Sequence, residues 1–210
     1  MDRRIKEVFE DLNTIAKIQN KLPKLFQLAE LESSRAGKIG MEVGTVREKI
    51  IVSLFIYKFG EENVQTEIPT TQAEIDVKVF NNSISIKIIT GKNLGGVKLI
   101  WTVDRVKAME FLNNYHPSCD IVLVQINWNN GGDFFYIPRE IQEEIFNKLG
   151  REKYIKLPVE GTNPRGVEMS AEGLNNLAIH EKTLKIPIDW TKENIDFKPF
   201  KRWVELWQND

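Results

Sequence analysis

The residues with the most chemical content lie in one stretch, Glu74-Ile-Asp-Val-Lys-Val-Phe80, then Asn81-Asn82, then Ser83-Ile-Ser-Ile-Lys-Ile-Ile89. Both halves alternate apolar and polar residues with period two, the pattern of half-buried strands. Asparagine tolerates positive φ, so Asn81-Asn82 supply the two central residues of a tight hairpin turn. Counting outward from that loop sets Phe80 against Ser83, Lys78 against Ser85 and Asp76 against Lys87. Ile75, Val77, Val79, Ile84, Ile86 and Ile88 then share one face, and Glu74, Asp76, Lys78, Ser83, Ser85 and Lys87 the other. A slip of one residue would turn the isoleucines to water, so the facing is well specified. Directly opposed Cβ atoms lie about 4.5–5.5 Å apart. The spacing therefore predicts a carboxylate beside an ammonium, able to grip a cation and a phosphate. On an open surface such a pair would be a salt bridge of little worth. Here a helix and a buried strand follow, so it lies under whatever covers the sheet, and a buried charge pair needs a reason.

The pattern E-I-D, a short spacer, and x-x-K ending the next strand resembles the PD-(D/E)XK nuclease superfamily, which includes most type II restriction endonucleases. The resemblance implies that Asp76 binds Mg²⁺ and that Lys87 positions or activates the attacking water. The fold it implies is α/β, a restriction-endonuclease-like central mixed β-sheet flanked by helices. Two departures stand out: no proline precedes the Asp within Ala73 to Ile75, and the acidic position two before the Lys is Ser85. Some enzymes resembling this pattern supply the missing carboxylate from a helix. Glu48 is favoured for it, with Gly44 and Arg47 on the same helical face; Glu74 and Asp104 are the alternatives. Each has a plainer reading, Glu48 as a solvated helical charge and Asp104 as a first-turn acid favoured by the helix dipole. The chemistry fits such a cluster. Phosphodiester hydrolysis adds negative charge to the phosphate, which a hard divalent cation and a lysine offset. Mg²⁺ prefers octahedral oxygen coordination with one or two carboxylates, so Asp76 with Glu48 or Glu74 suffices and no covalent nucleophile is required.

Three segments are candidate DNA contacts. Arg35, Lys38 and Arg47 flank two turn glycines; Lys92 and Asn93 sit in a loop directly after the catalytic strand; Asn163 and Arg165 sit in a polar loop near the C-terminus. Arginine and asparagine can make bidentate contacts to guanine and adenine edges, while phosphate contacts position the protein. The plain alternative for each is a solvated turn. The stretch G-T-N-P-R-G-V-E-x-S from Gly161 resembles a type II restriction family named after ThaI, which implies a dimeric cutter of a short CG-rich palindrome. In such a family Met41 is a candidate wedge into a base step, or otherwise a helix-terminal packing residue.

The elements that must position these residues follow from periodicity. Apolar spacing predicts a helix from Ile5 to Leu31 broken at Pro23, and a helix from Met41 to Phe59 with Val43, Val46, Ile50, Leu54 and Tyr57 on one face. Strands are expected at Val64–Ile68, across the hairpin, at Asp120–Trp128 and at Asp133–Ile137. Helices are expected from Val103 to Asn114, capped by Thr102, and from Pro138 to Leu149. The last sixty residues read as irregular apart from a helix over Ala171–Leu177. One domain spans 1–210, with N-terminal helices to 40, a catalytic core over 41–150 and a DNA-contact and dimer region over 151–210. The 29 basic and 30 acidic residues give a net charge of -1, which argues against a tail-driven nucleic-acid binder without excluding a local basic groove. The lone Cys119 reads as a buried thiol. His116 and His180 are too far apart for a zinc site, and no G-x-S-x-G elbow supports a serine hydrolase. Trp203 and Trp207, four apart, form one helical face suited to core or subunit packing. With no long apolar run and no signal-peptide pattern, a cytoplasmic protein without a membrane partner is expected. The sequence thus points to a type II restriction enzyme cutting double-stranded DNA with Mg²⁺ as a homodimer. A structure-specific repair or junction nuclease and a catalytically decayed DNA-binding module are the rivals.

Overall fold

The computed structural model describes residues 3–36, 38–69, 72, 74–158 and 166–208; Asn163 and Arg165 lie outside the described residues. The N-terminus forms α1 (Arg3–Glu10) and α2 (Leu12–Glu32). The break expected at Pro23 falls instead at Asp11, which caps α2 by accepting from the Asn13 amide at 3.2 Å, and Pro23 lies inside the helix. An interior proline costs about 3 kcal/mol. Burial of Ile18, Leu22 and Phe26 along one stripe, at roughly 1.5–3 kcal/mol each, exceeds that cost. A short ribbon, β1 (Ser34–Arg35) with β2 (Lys38–Ile39), leads into α3 (Val43–Phe59). The α3 residues that are buried are Arg47, Ile51 and Phe55, not the expected stripe; Tyr57 is exposed.

Then come β3 (Val64–Gln65), β4 (Val77–Val79), β5 (Asn82–Thr90), β6 (Val97–Ile100), α4 (Arg105–Asn114), β7 (Asp120–Ile126) and β8 (Gly131–Ile137). The helix cap before α4 is Asp104, not Thr102: Asp104 Oδ1 accepts from the Val106 amide at 2.8 Å and from Lys107 at 3.3 Å. Asp104 thus serves as the cap of α4. After α5 (Arg139–Leu149), the stretch expected to be irregular holds α6 (Arg151–Tyr154), β9 (Ile155–Lys156), β10 (Val167–Met169), α7 (Ala171–Ala178), β11 (Leu184–Asp189) and α8 (Lys201–Gln208). Strands of two or three residues are too short to show a period, and Pro187 within β11 argued against a strand. Proline is tolerated there because β11 is an edge strand.

The central sheet has the order β11-β8-β7-β5-β4-β3. Only β5 and β7 run parallel, joined through α4; the other neighbours are antiparallel. A second, three-stranded sheet has the order β6-β10-β9. Alternation along β7 and β8 divides the core in two. Val122, Val124, Ile126, Phe134 and Tyr136 pack with α1, α2 and α3, whereas Ile121, Leu123, Phe135 and Ile137 pack with α5, α7 and the small sheet. Helices thus cover both faces of a mixed sheet, as expected.

The hairpin register differs from the one counted from an Asn-Asn loop. Val77 pairs with Ile84, Lys78 with Ser83 and Val79 with Asn82. The turn residues are Phe80 and Asn81, with φ of 50° and 68°. Two groups draw the turn back by one residue. The Asn82 side chain is committed to buried Asp120, donating to Oδ2 at 2.5 Å. The Phe80 ring packs edge-on against Phe59 at 5.1 Å, with the Arg4 guanidinium 3.7 Å above it, which offsets the cost of positive φ, about 1–2 kcal/mol. The slip is two residues, so every side chain keeps its face.

Candidate active site

The two-residue slip sets Asp76 opposite Ser85, with Lys87 one step further along the same face. The Asp76 amide donates to the Ile84 carbonyl at 3.0 Å, which anchors the residue just before β4. Its carboxylate Oδ2 accepts from the Ile86 amide at 2.5 Å and from Ser85 Oγ at 3.2 Å. The other oxygen, Oδ1, makes no hydrogen bond among the described residues. Ser85 is 2% exposed, so it orients the aspartate and does not present a ligand of its own. Asp76 and Lys87 are therefore not directly opposed in the way an Asn-Asn loop implies, and form no ion pair among the described residues; both still sit on one face of the hairpin, feel each other's charge and line one cleft of about 540 Å³.

Glu48, projecting from α3, joins them in that cleft. Burial raises the pKa of Asp76, while Lys87 and the hydrogen bonds from Ile86 and Ser85 oppose the rise. Burial also raises Glu48, and the negative charge of Asp76 adds to the rise; Lys87 and Lys49 oppose it. The site is thus short of positive charge, the condition a divalent cation relieves. Among the described residues no three His, Cys, Asp or Glu side chains cluster in a metal-holding group, but Mg²⁺ needs only one or two protein carboxylates. Two adjacent hard-oxygen donors, one with an open oxygen, fit that ion.

The other sequence candidates divide. Glu74 accepts from Ser118 Oγ at 3.0 Å and is also hydrogen-bonded to Tyr115; burial raises its pKa. It is not among the residues lining the cleft. Arg47 is buried and paired with Glu30, which corrects its expected role as a DNA contact. Arg35, Lys38, Lys92 and Asn93 are exposed on the β1–β2 ribbon and the loop after β5, and Met41 is 88% exposed before α3. Buried Cys119 has its thiol pushed up to about 12 by burial, with the negative charge of Glu74 adding to it, and is no nucleophile. Trp190 is in the core, whereas Trp203 and Trp207 are exposed on α8. The sequence reading missed Lys98, Trp101 and Glu168, which line the cleft opposite the hairpin. The alternation of Val97-Lys-Leu-Ile100 was the available signal, but it spans a single strand of four residues.

The family model described as "Restriction endonuclease ThaI" matches residues 8–209 of the chain. The chain belongs to the ThaI restriction endonuclease family. A solved structure titled "Restriction endonuclease in complex with substrate DNA" is 57% identical, covers 97% of this chain and 98% of its own, and superposes with a TM-score of 0.91. None of the curated proteins compared matches. As a ThaI-family protein the chain is a type II site-specific endonuclease, so the junction-nuclease and decayed-module readings give way. Ser85, the departure at the expected acidic position, is occupied in donating to Asp76. Among the described residues, no helix is long and apolar enough to cross a membrane.

Proposed function

We propose that this ThaI-family enzyme hydrolyses both strands of a short palindromic DNA site with Mg²⁺, acting as a two-fold dimer that matches protein symmetry to DNA symmetry. The observation that carries the site assignment is the convergence of Asp76, Glu48 and Lys87 on one cleft, with both carboxylates raised by burial. Asp76 through its open oxygen and Glu48 are the residues that would hold the metal. The bound cation would supply charge to offset the dianionic character developing on the phosphate. Lys87 lines the cleft from a strand held by β7 at Leu123, next to the Ile86 amide that donates to Asp76, so its ammonium is pre-organised towards the phosphate and the attacking water. Ser85 and the Ile86 amide hold Asp76 so that no reorganisation accompanies metal binding. Glu74, held by Ser118, steadies the segment leading into β4.

Exposed Arg35, Lys38, Lys92 and Asn93 are the proposed DNA contacts on the described surface, and exposed Met41 is the proposed wedge; Asn163 and Arg165 complete the set from outside it. Plasmid DNA incubated with the protein and Mg²⁺ is expected to give discrete fragments. Asp76→Ala and Lys87→Ala should each lower cleavage by at least ~10³-fold while circular dichroism stays native. Full activity in purified Asp76→Ala removes the site assignment.

A further inference from the structure

The cleft has a second wall. Opposite the catalytic strand stands β6, and from it Lys98 and Trp101 line the same cleft as Asp76, Glu48 and Lys87. Val97 and Leu99 are 5% and 3% exposed in the second core, so alternation turns Lys98 and Ile100 the other way. Gly96 lets the strand lie tight on β10: a Cβ there would stand 2.8 Å from the Met169 carbonyl oxygen. Lys98 therefore springs from rigid backbone.

Trp101, just beyond the end of β6, is 66% exposed. A large aromatic left in water at the mouth of an active site needs a reason. Its neighbour supplies one, for the Lys98 ammonium lies 3.6 Å from the ring centroid. The cross-strand partner of Lys98 is Glu168, which also lines the cleft, yet the two form no ion pair among the described residues. A carboxylate partner would neutralise the ammonium. A ring orients it for about 0.5–1 kcal/mol and leaves its charge available to an anion.

Resting on the nuclease reading and deepening it, we propose that Lys98 and Trp101 form a clamp for the DNA backbone. Lys98 contacts a phosphate flanking the scissile one, and Trp101 is a positioning residue that aims the ammonium. Lys87 and Lys98, on facing walls, then grip successive parts of one strand. A contact to phosphate carries no base information, so the clamp serves affinity and register, not sequence choice.

Each phosphate neutralised steepens the salt dependence of duplex binding by about 0.9 in log–log slope. The test measures Kd in EDTA, from about 50 to 200 mM NaCl, for a duplex cut from a plasmid around a site that the wild-type enzyme cleaves. Lys98→Ala is expected to weaken binding about tenfold and flatten the slope by about 1, and Lys98→Arg to restore the slope. Trp101→Ala should weaken binding too, with the double variant no weaker than Lys98→Ala alone. An unchanged slope in Lys98→Ala overturns the clamp. Losses from Trp101→Ala that add to those of Lys98→Ala, at full slope, assign the ring a contact of its own and overturn the pairing. The wild-type digest in Mg²⁺ separates the two levels: no cleavage defeats the nuclease reading, whereas cleavage with an unchanged Lys98→Ala slope defeats the clamp alone.

Discussion

Asp76 is held by Ser85 and the Ile86 amide, yet burial still raises its pKa, so the folded protein binds its proton more tightly than the unfolded chain does. Below the ordinary carboxylate range both states are protonated and the site costs nothing. As pH rises through the window between the unfolded and the raised folded values, the unfolded chain loses protons first and stability falls; above that window the full penalty persists. Asp76→Asn keeps an acceptor for Ile86 and Ser85 but removes the charge. It is expected to raise the metal-free Tm at neutral pH, by about 2–4 °C for each kcal/mol regained, with the gain vanishing in acid. Thermal melts of both proteins across pH check this, and a neutral-pH Tm below wild type contradicts it. The same residues show what a sequence can reveal at this scale. Asp76, Ser85 and Lys87 were legible as one face because alternation survives any even slip. Their register was not, since it depends on the Asn82 amide reaching Asp120, a partner no local pattern announces.

Among the elements, α2 and α3 are tied by Glu30, which is 5% exposed. Its carboxylate accepts from Arg47, from Trp128 Nε1 at 2.7 Å and from Lys192 Nζ at 3.0 Å. These bonds join α2 and α3 to the β7–β8 turn and the segment after β11. Removing Arg47 takes the buried cation from Glu30 and leaves Trp128 and the partly exposed Lys192 to hold its charge, so Arg47→Ala is expected to cost about 3 kcal/mol, the low end for breaking a buried pair. Urea unfolding measures it; a loss within the scatter of surface substitutions would show that the pair is solvated. Arg47 read as a DNA contact because it is one of the basic residues flanking the turn glycines before α3. What buries it is a glutamate on another helix. The helices with long apolar periods were readable in outline, whereas β6, β9 and β10 were too short to announce themselves and left half of the cleft unseen.

For the whole molecule, the proposed palindromic target would be matched by two copies related by a two-fold axis. Sedimentation equilibrium with the cleavable duplex should give two chains per DNA. One chain per duplex, with single-strand nicks as the end product, contradicts the dimer. The mixed sheet with helices on both faces was legible from the order of periods, because a parallel pair needs a crossover and α4 lies between β5 and β7. That parallel pairing has a consequence for the enzyme while it is being made. The strand bearing Lys87 gains its inner neighbour only when β7, Asp120–Ile126, has left the ribosome, and a bare hairpin is marginal in water. A chain ending at Ser118 should show no protected amides over β5 in hydrogen exchange and no nicking of plasmid. Synthesis order itself would then keep DNA out of reach of the cutter until more than half of the chain has been made.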